Sequence, residues 1–170
     1  FPVFLTREIE VAREWLREQA RGSERFGLVA SSNAIRLKPE GIHVKNRIDP
    51  RHWFLNDSSD VRSSYYLEDV ATEFDIQGLE LDWVGVCWDG NLRHEGTGWA
   101  TYQFRGTNWQ RLINEYRKAY LINAYRVLLT RARQGMIIYI PNGSKNDPTR
   151  LPSLYDGTHN FLRKCGIKDL

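Results

Sequence analysis

Two apolar runs set the main constraint on how this chain can fold. Residues 83–88 read WVGVCW and residues 136–140 read MIIYI, and neither run alternates with polar residues. Strands that are apolar throughout are typical of a parallel sheet covered on both faces. A third run, FGLVA at 26–30, has the same character. Because helical patterns alternate with these runs, the sequence predicts an α/β fold with a mainly parallel sheet flanked by helices.

The sequence predicts three longer helices, at residues 6–20, 109–133 and 154–164. The first is expected to start at Thr6 with an acidic first turn. In the second and longest, apolar residues recur at helical spacing and mark its buried side: Leu121, Tyr125, Leu128 and Ala132. Gly135 stands where a helix C-cap is expected.

The connecting segments carry weaker signals. Proline and glycine punctuate residues 38–64, which are expected to be irregular, and residues 72–75 are a candidate short strand. Residues 89–109 are rich in glycine and aromatic residues and predict a hairpin insertion, with Gly96 and Gly98 near its tip.

Composition excludes several classes of protein. The chain has 170 residues, 41% of them apolar and 26% charged, which is ordinary for one globular domain. No apolar run approaches the roughly 18 residues of a membrane span, and the N-terminus has no signal-peptide pattern, so we expect no membrane partner and a cytoplasmic location. The chain begins without Met inside an apolar stretch, which predicts a fragment of a longer protein. Its two cysteines and four histidines show no metal-ligand spacing.

The mild net charge of +3 is unevenly distributed. Residues 56–82 hold eight acids against one base, whereas residues 110–134 hold six bases against one acid. Two interpretations stay open at this point. The segments are two solvated faces, or the basic helix serves a ligand that carries phosphate.

The stretch ATEFDIQGLELD, residues 71–82, has a spacing that suggests a ligand site. Thr72 is expected at a strand end, Gln77 and Gly78 at a turn, and Glu80 just beyond it. A glycine at a turn lets the backbone approach a ligand closely, and a carboxylate can accept hydrogen bonds from sugar hydroxyls. Alone, the stretch is better explained as an ordinary Gln-Gly turn.

A second stretch, about fifty residues downstream, changes the interpretation. Thr130, Arg131 and Ala132 end an apolar helix just before the predicted strand. Together the two stretches resemble motifs V and VI of superfamily 1 helicases. Motif V has the form Thr-x-x-x-x-(Gln/Lys)-Gly-x-Glu, and motif VI is an apolar helix that runs into Thr-Arg-Ala. The order of the motifs and the insertion between strand and helix also match.

The sequence around the two motifs supports the same family. Residues 63–88, 120–141 and 146–166 resemble the C-terminal half of the helicase-like domain of bacterial proteins related to the Schlafen group 3 helicases, formerly a domain of unknown function. The resemblance covers about residues 1–166. It implies a RecA-like fold, with the whole of residues 1–170 as the second of two RecA-like domains.

Absent motifs agree with that implication. The chain has no G-x-x-x-x-G-K-[ST] and no apolar strand ending in Asp-Glu. The resemblance implies that both lie on an N-terminal RecA-like domain of the same chain, upstream of Phe1. ATP and Mg²⁺ are then expected in the full-length parent, none is expected to bind this fragment tightly, and the fragment is not expected to be catalytic alone. DNA or RNA is the implied further partner.

The resemblance also implies residue roles at the nucleotide. Arg131 matches the arginine finger, which stabilises charge on the transferred phosphoryl group. Gln77, Gly78 and Glu80 are expected to face the phosphates and the ribose. For Arg133 three roles stay open: a second finger, a salt bridge to the acidic segment, or surface charge.

A second group of residues is implied at the nucleic acid. Thr72 is expected to contact a phosphate or to couple its strand to the ATP cleft. Phe74 replaces a histidine common in unwinding enzymes, and it either stacks on a base or packs in the core. Related helicases often carry an arginine after the strand at 26–30, and here Arg36 is the nearest substitute, out of register. An aromatic and arginine platform is the remaining candidate, made of Trp99, Tyr102, Phe104, Arg93 and Arg105.

Two functions of different classes follow. The first is the C-terminal motor domain of an ATP-dependent DNA or RNA helicase, or of an ATPase stimulated by nucleic acid. The alternative is a non-catalytic module that binds nucleic acid with the basic helix and the aromatic insertion. Recognition of a carbohydrate or protein by the Trp-rich loops has only composition in its favour.

Overall fold

A six-stranded sheet forms the centre of the fold in the computed structural model, which describes residues 1–170. The chain contains nine strands: β1 (Val3–Thr6), β2 (Phe26–Ala30), β3 (Val70–Ala71), β4 (Leu81–Cys87), β5 (Leu92–Glu95), β6 (Gly98–Arg105), β7 (Asn108–Arg111), β8 (Ala132–Tyr139) and β9 (Lys168–Asp169). The central sheet has the order β3-β2-β4-β8-β1-β9, and every pair in it is parallel. The other three strands form a separate sheet.

Four α-helices and three 3₁₀ helices accompany the strands. They are α1 (Ile9–Gln19), α2 (Pro50–Leu55), α3 (Glu115–Leu129) and α4 (Ser153–Lys164), with 3₁₀ helices at Ile35–Glu40, Ser64–Tyr66 and Pro148–Arg150. The prediction of an α/β fold with a mainly parallel sheet flanked by helices is confirmed, and the arrangement is consistent with a RecA-like domain.

Both faces of the sheet are covered, as the uninterrupted apolar runs require. On one face, Ala12, Trp15 and Leu16 of α1 pack in a core with the first 3₁₀ helix. On the other face, α3 and α4 pack against the alternate side chains of β4 and β8. The stripe predicted for α3 is confirmed at Leu121, Tyr125 and Leu128, which are all buried.

Two helix boundaries differ from the predictions because strands occupy the predicted ends. α1 begins at Ile9, and Thr6 instead closes β1, a strand that the sequence pattern missed. α3 begins at Glu115, where the side chain of Asn114 accepts a hydrogen bond from the Arg117 amide, and the residues before it form β7. Pairing with distant strands decides both cases, and a local pattern does not contain that information.

Gly135 is not a helix C-cap, since α3 ends at Leu129 and Gly135 lies inside β8. A Cβ at this position would lie 2.6 Å from Cζ3 of Trp83 and 2.8 Å from Cγ of Pro2. The glycine is therefore required for close packing and not for a left-handed turn. Ala132 likewise belongs to β8 and not to the helix.

Two connecting segments also differ from the structure predicted for them. The strand predicted at residues 72–75 is a turn after β3, in which the Asp75 amide donates to the carbonyl of Thr72 at 3.0 Å. The segment 38–64, expected to be irregular, contains α2. The side chain of Asp49 caps this short helix, and Pro50 occupies its first turn, where a missing N–H costs nothing.

The insertion is a three-stranded antiparallel sheet, β5-β6-β7. The predicted hairpin is confirmed, with its turn between Glu95 and Gly98 and with β7 as an additional strand. The His94 ring stacks on Phe161 of α4 with centroids 4.0 Å apart. Gly157 of α4 packs directly against the carbonyl oxygen of His94. The insertion is thus fixed to the domain through α4.

A buried carboxylate joins the end of β4 to the helices around it. Asp89 has no exposed surface and accepts hydrogen bonds from the Gly90 amide at 2.7 Å, the Arg36 amide at 3.0 Å and the Tyr155 hydroxyl at 3.2 Å. The Tyr125 hydroxyl receives the Asp89 amide proton at 3.2 Å. Burial raises the pKa of Asp89 to about 6, and these hydrogen bonds only partly offset the desolvation.

Gly157→Ala should destabilise the protein although alanine is the better helix former. The new Cβ would overlap a backbone carbonyl that cannot rotate away, and overpacking of this kind costs roughly 1–3 kcal/mol. Urea denaturation measures the free energy of unfolding. Asn160→Ala, on the exposed side of the same helix, is the control and should leave stability nearly unchanged. Equal stability of the two variants would contradict the docking of the insertion on α4.

Asp89→Asn should remove one component of the pH dependence of stability. Because folding raises this pKa from 3.8 to about 6, the folded state binds the proton more tightly. The resulting stabilisation is complete below the unfolded pKa and is lost as the pH rises through about 6, by up to about 3 kcal/mol. Urea denaturation at about pH 5 and about pH 7.5 measures it. The wild type should lose stability relative to Asp89→Asn between these values, and parallel profiles would show that Asp89 does not titrate there.

Candidate functional site

The two ends of the parallel sheet carry different candidate residues. All six strands begin at one end, called here the amino edge, and finish at the other, called the carboxyl edge. Glu80 and Arg131 directly precede β4 and β8, so they lie at the amino edge. Thr72 directly follows β3 and lies at the carboxyl edge. The two sets of candidates are therefore separated by the length of the sheet.

Backbone pairing brings the amino-edge residues together. The Leu81 amide donates to the carbonyl of Arg131 at 2.9 Å, which puts Glu80 beside the end of α3. Nε of Arg133 lies 3.7 Å from Oε2 of Glu80. Both side chains are more than half exposed, and an ion pair of this kind contributes little to stability. Of the three roles considered for Arg133, the salt bridge to the acidic segment is the one that the geometry favours.

Arg131 is held at the amino edge without a carboxylate partner. It follows the end of α3, where the Thr130 hydroxyl lies 3.0 Å from the carbonyls of Arg126 and Val127. The Arg131 side chain is half-buried, its Nε is shielded from solvent, and that Nε donates to no group in the protein. A shielded donor without an acceptor is costly, and the Arg131 Nε is therefore available to an acceptor from outside the chain.

Gln77 and Gly78 form an exposed turn on the way to the amino edge. The Leu79 amide donates to the carbonyl of Ile76 at 3.0 Å, and Ile76 is buried in the core, which anchors the turn. Gly78 has φ of +77°, a conformation that favours glycine. Since no atom lies within 4 Å of a Cβ built at Gly78, the backbone there is open to a ligand.

At the carboxyl edge, the hydroxyl and the amide of Thr72 are already hydrogen-bonded within the protein. Its hydroxyl donates to Oδ2 of Asp75 at 2.9 Å, and its amide donates to the same oxygen at 2.8 Å. Thr72 is also buried. A phosphate accepts hydrogen bonds and donates none, so it would have to displace Asp75 to reach the hydroxyl proton. The geometry therefore favours the coupling role over direct contact with a phosphate.

Glu73, which sequence reasoning did not select, links two loops at this edge. It is buried, and its two oxygens accept hydrogen bonds from the Ser32 amide at 2.8 Å and the Ser32 hydroxyl at 2.7 Å. The turn after β3 and the loop after β2 are therefore held together. The sequence signal that could have identified Glu73 is an acidic residue next to the end of an apolar strand.

Phe74 does not pack in either core. It is 59% exposed, and its ring stacks on Tyr120 of α3 with centroids 6.1 Å apart and an interplanar angle of 30°. Of the two roles considered for this residue, its exposure contradicts packing in the core, and stacking on a base stays a prediction.

Only part of the aromatic and arginine platform suggested for the insertion is brought together: Arg93 meets Tyr102, whereas Trp99 and Arg105 lie apart. Trp99 lies at the start of β6 and Arg105 at its end, and both are exposed. Tyr102 points to the face of β6 opposite to Trp99, because strand residues alternate. The Trp99 ring contacts Trp88, with centroids 5.7 Å apart, and Tyr102 covers the buried guanidinium of Arg93 at 3.8 Å.

Arg36 is the nearest substitute for the arginine that related helicases often carry after β2. It follows β2 at the carboxyl edge, where its Nη2 lies 3.1 Å from Asp147 and its Nε donates to Thr149 at 3.0 Å. The guanidinium is therefore used within the protein.

Sequence reasoning missed the exposed residues of the first half of α3. Tyr116 is 87% exposed and Tyr120 is 44% exposed, and Arg117 makes no ion pair. The signal was present, since two tyrosines four residues apart lie off the apolar stripe of the same helix. Tyr120 stacks on Phe74, so the structure brings exposed aromatic rings together at the carboxyl edge through α3 and not through the hairpin.

Two further findings concern membranes and metals. No helix has both the length and the apolar character needed to cross a bilayer. No three His, Cys, Asp or Glu side chains are grouped so that they could hold a metal ion.

Comparison with known proteins identifies a family for this chain. The family described as Schlafen group 3, DNA/RNA helicase domain, matches residues 1–142, which include both edges of the sheet and both helicase-like stretches. No curated protein matches the chain, and no solved structure does. Because the matched region covers far more than half of its residues, the chain belongs to the Schlafen group 3 DNA/RNA helicase domain family.

Proposed function

We propose that this chain is the C-terminal motor domain of an ATP-dependent helicase or of an ATPase stimulated by nucleic acid. In this proposal the amino edge completes an ATP site whose other half lies on an N-terminal RecA-like domain of the same protein. The observation that carries the proposal is the side chain of Arg131, whose shielded Nε has no hydrogen-bond partner in the protein and whose backbone carbonyl accepts from the Leu81 amide next to Glu80. Family membership supports a helicase-related role.

The chemistry of phosphoryl transfer explains why an unpartnered arginine is useful. Negative charge develops on the transferred group, and a guanidinium that approaches from across a cleft stabilises it. Arg131 fits this role because no carboxylate neutralises it. Gln77 supplies an amide and Gly78 an open backbone on the same edge, where they face the phosphates and ribose in this proposal. Glu80, which is paired with Arg133, completes the group of residues that face the nucleotide in this proposal.

The residues present fit half of a nucleotide site. The chain has no glycine-rich loop with Lys and Ser or Thr to hold the phosphates, and no cluster of side chains for Mg²⁺. In the proposal both come from the N-terminal domain, and ATP with Mg²⁺ binds between the two domains.

DNA or RNA is the proposed partner of the carboxyl edge. Residues 72–80 run from Thr72 at that edge to Glu80 at the amino edge, anchored midway by the buried Ile76. A strand bound near Phe74 would therefore contact the same segment that reaches the nucleotide. This continuity supports coupling of nucleic-acid binding to hydrolysis, with Thr72 and Glu73 holding the segment in position.

A second candidate function is a non-catalytic module that binds nucleic acid. The exposed Phe74, Tyr116 and Tyr120 beside Arg117 favour it, because these groups require no nucleotide. The two functions differ in one observable. Affinity for a single strand depends on the bound nucleotide in a motor and does not in a simple module.

Arg131→Ala should abolish ATP hydrolysis in the protein that includes the N-terminal domain. Loss of an arginine finger lowers turnover roughly 10³-fold or more, whereas nucleotide binding should change little because the other domain holds the phosphates. Steady-state hydrolysis and titration with a fluorescent ATP analogue measure the two effects. Arg126→Ala, an exposed arginine of α3, is the matched control and should hydrolyse ATP normally. Unchanged turnover in Arg131→Ala would exclude the finger role.

The 170-residue chain alone should bind ATP weakly, with a dissociation constant above about 1 mM, because half of the site is missing. Isothermal titration calorimetry with ATP and Mg²⁺ tests this expectation. Micromolar binding would contradict the two-domain site. The second candidate function gains support instead if the protein with both domains binds single strands equally with and without an ATP analogue.

A further inference from the structure

A cleft of about 220 Å³ opens at the carboxyl edge. It lies between the loop after β2, strand β6 of the insertion and the first half of α3. Seven residues line it: Asn33, Tyr102, Gln103, Leu112, Arg117, Tyr120 and Leu121. Drug-sized ligands usually occupy roughly 300–1,000 Å³, so this volume suits a smaller group.

Two free amides face this cleft. The side chains of Asn33 and Gln103 make no hydrogen bond within the protein, although both residues line the cleft. Each amide offers two donors and one acceptor. This combination complements the edge of a nucleobase, which presents donors and acceptors side by side. An apolar ligand would leave these groups unsatisfied.

Two aromatic rings of the cleft are fixed in place. The Tyr102 hydroxyl donates to Glu95 at 2.8 Å, and the guanidinium of Arg93 lies 3.8 Å from the centre of the Tyr102 ring. The Tyr120 ring is stacked against Phe74. Rings held in this way lose little freedom when a flat ligand stacks on them.

The charges favour a neutral group inside the cleft. Arg117 is the only charged residue that lines it, and it makes no ion pair. Burial and the nearby carboxylate of Glu73 raise the pKa of the Tyr120 phenol, so a negative charge lies close to that side. A phosphate is therefore disfavoured at the Tyr120 side and favoured at Arg117. A nucleotide has this distribution, with a neutral base and an anionic phosphate.

We propose that this cleft holds one base that is splayed out from a single-stranded nucleic acid bound at the carboxyl edge. The base stacks on Tyr120, its edge meets the amides of Asn33 and Gln103, and the adjoining phosphate pairs with Arg117. The inference rests on the proposed binding of nucleic acid and adds to it a base-binding subsite. Tyr120 touches Phe74, two residues after Thr72, so the subsite is continuous with the proposed strand path. Proteins that bind single strands commonly combine aromatic stacking with basic groups.

Fluorescence anisotropy tests the subsite. The probes are labelled DNA and RNA homopolymers of about twelve nucleotides, measured at about 50 and 200 mM salt. Tyr120→Ala and Gln103→Ala should each weaken binding, the first by roughly 5- to 100-fold. Phe1→Ala is the matched control, because it removes an exposed aromatic ring that lies at the amino edge and outside the cleft. It should bind within about twofold of the wild type, as expected for a side chain without a specific contact. Circular dichroism and thermal unfolding check that all variants fold.

A strand that carries one 2-aminopurine reports on the base directly. Its fluorescence should change when the wild type binds and should change much less with Tyr120→Ala at saturating protein. If the wild type binds strands but both cleft variants bind equally well, the subsite is wrong and the proposed function stands. Equal weakening by Phe1→Ala would also overturn the subsite, since any exposed ring would then suffice. If the wild type binds no strand of either type, the proposed nucleic-acid function fails, and the subsite fails with it.

Discussion

Strand β4 pairs with β2 on one side and with β8 on the other, and this pairing positions the helices and both edges of the sheet. All three strands are apolar on both faces, so each face must be covered, and α1 on one side and α3 with α4 on the other do this. Parallel strands also need connections that return from one edge of the sheet to the other. Residues 72–80 are such a connection, and they are short. One continuous segment therefore joins the carboxyl edge to the amino edge.

This topology separates the chemistry of the two edges. At the amino edge, an arginine without a partner stands beside a glutamate and an open glycine turn, which can complete a phosphate site but cannot form one alone. At the carboxyl edge, Thr72 and Glu73 are buried and hydrogen-bonded to neighbouring loops, so they order this edge and present little of themselves to a ligand. The groups left open there are aromatic rings, amides and Arg117. We therefore assign the proposed nucleic-acid contacts to the surface of α3 and the insertion.

The buried Asp89 shows how this surface is supported. Its carboxylate connects the end of β4 with Tyr155 of α4 and with the backbone at Arg36, and its amide donates to Tyr125 of α3. The insertion that follows Asp89 docks on α4 through the stacked rings of His94 and Phe161. The cleft between β6 and α3 exists because both are fixed to the same end of β4. A charge that costs stability at neutral pH is thus part of what positions the proposed base subsite.

Local apolar periodicity was enough to predict the fold class, the strands at 26–30, 83–88 and 136–140, the hairpin insertion and the buried stripe of α3. The two helicase-like stretches were enough to predict the family. Long-range packing was needed to show that Val3–Thr6 is a strand, that Gly135 is required for packing and that Arg133 meets Glu80. It was also needed to show that Trp99 and Arg105 lie apart while Tyr120 meets Phe74. These outcomes depend on which distant segments pair and on which face of an element each side chain occupies. Both are set by packing of the whole chain, and no local pattern encodes them.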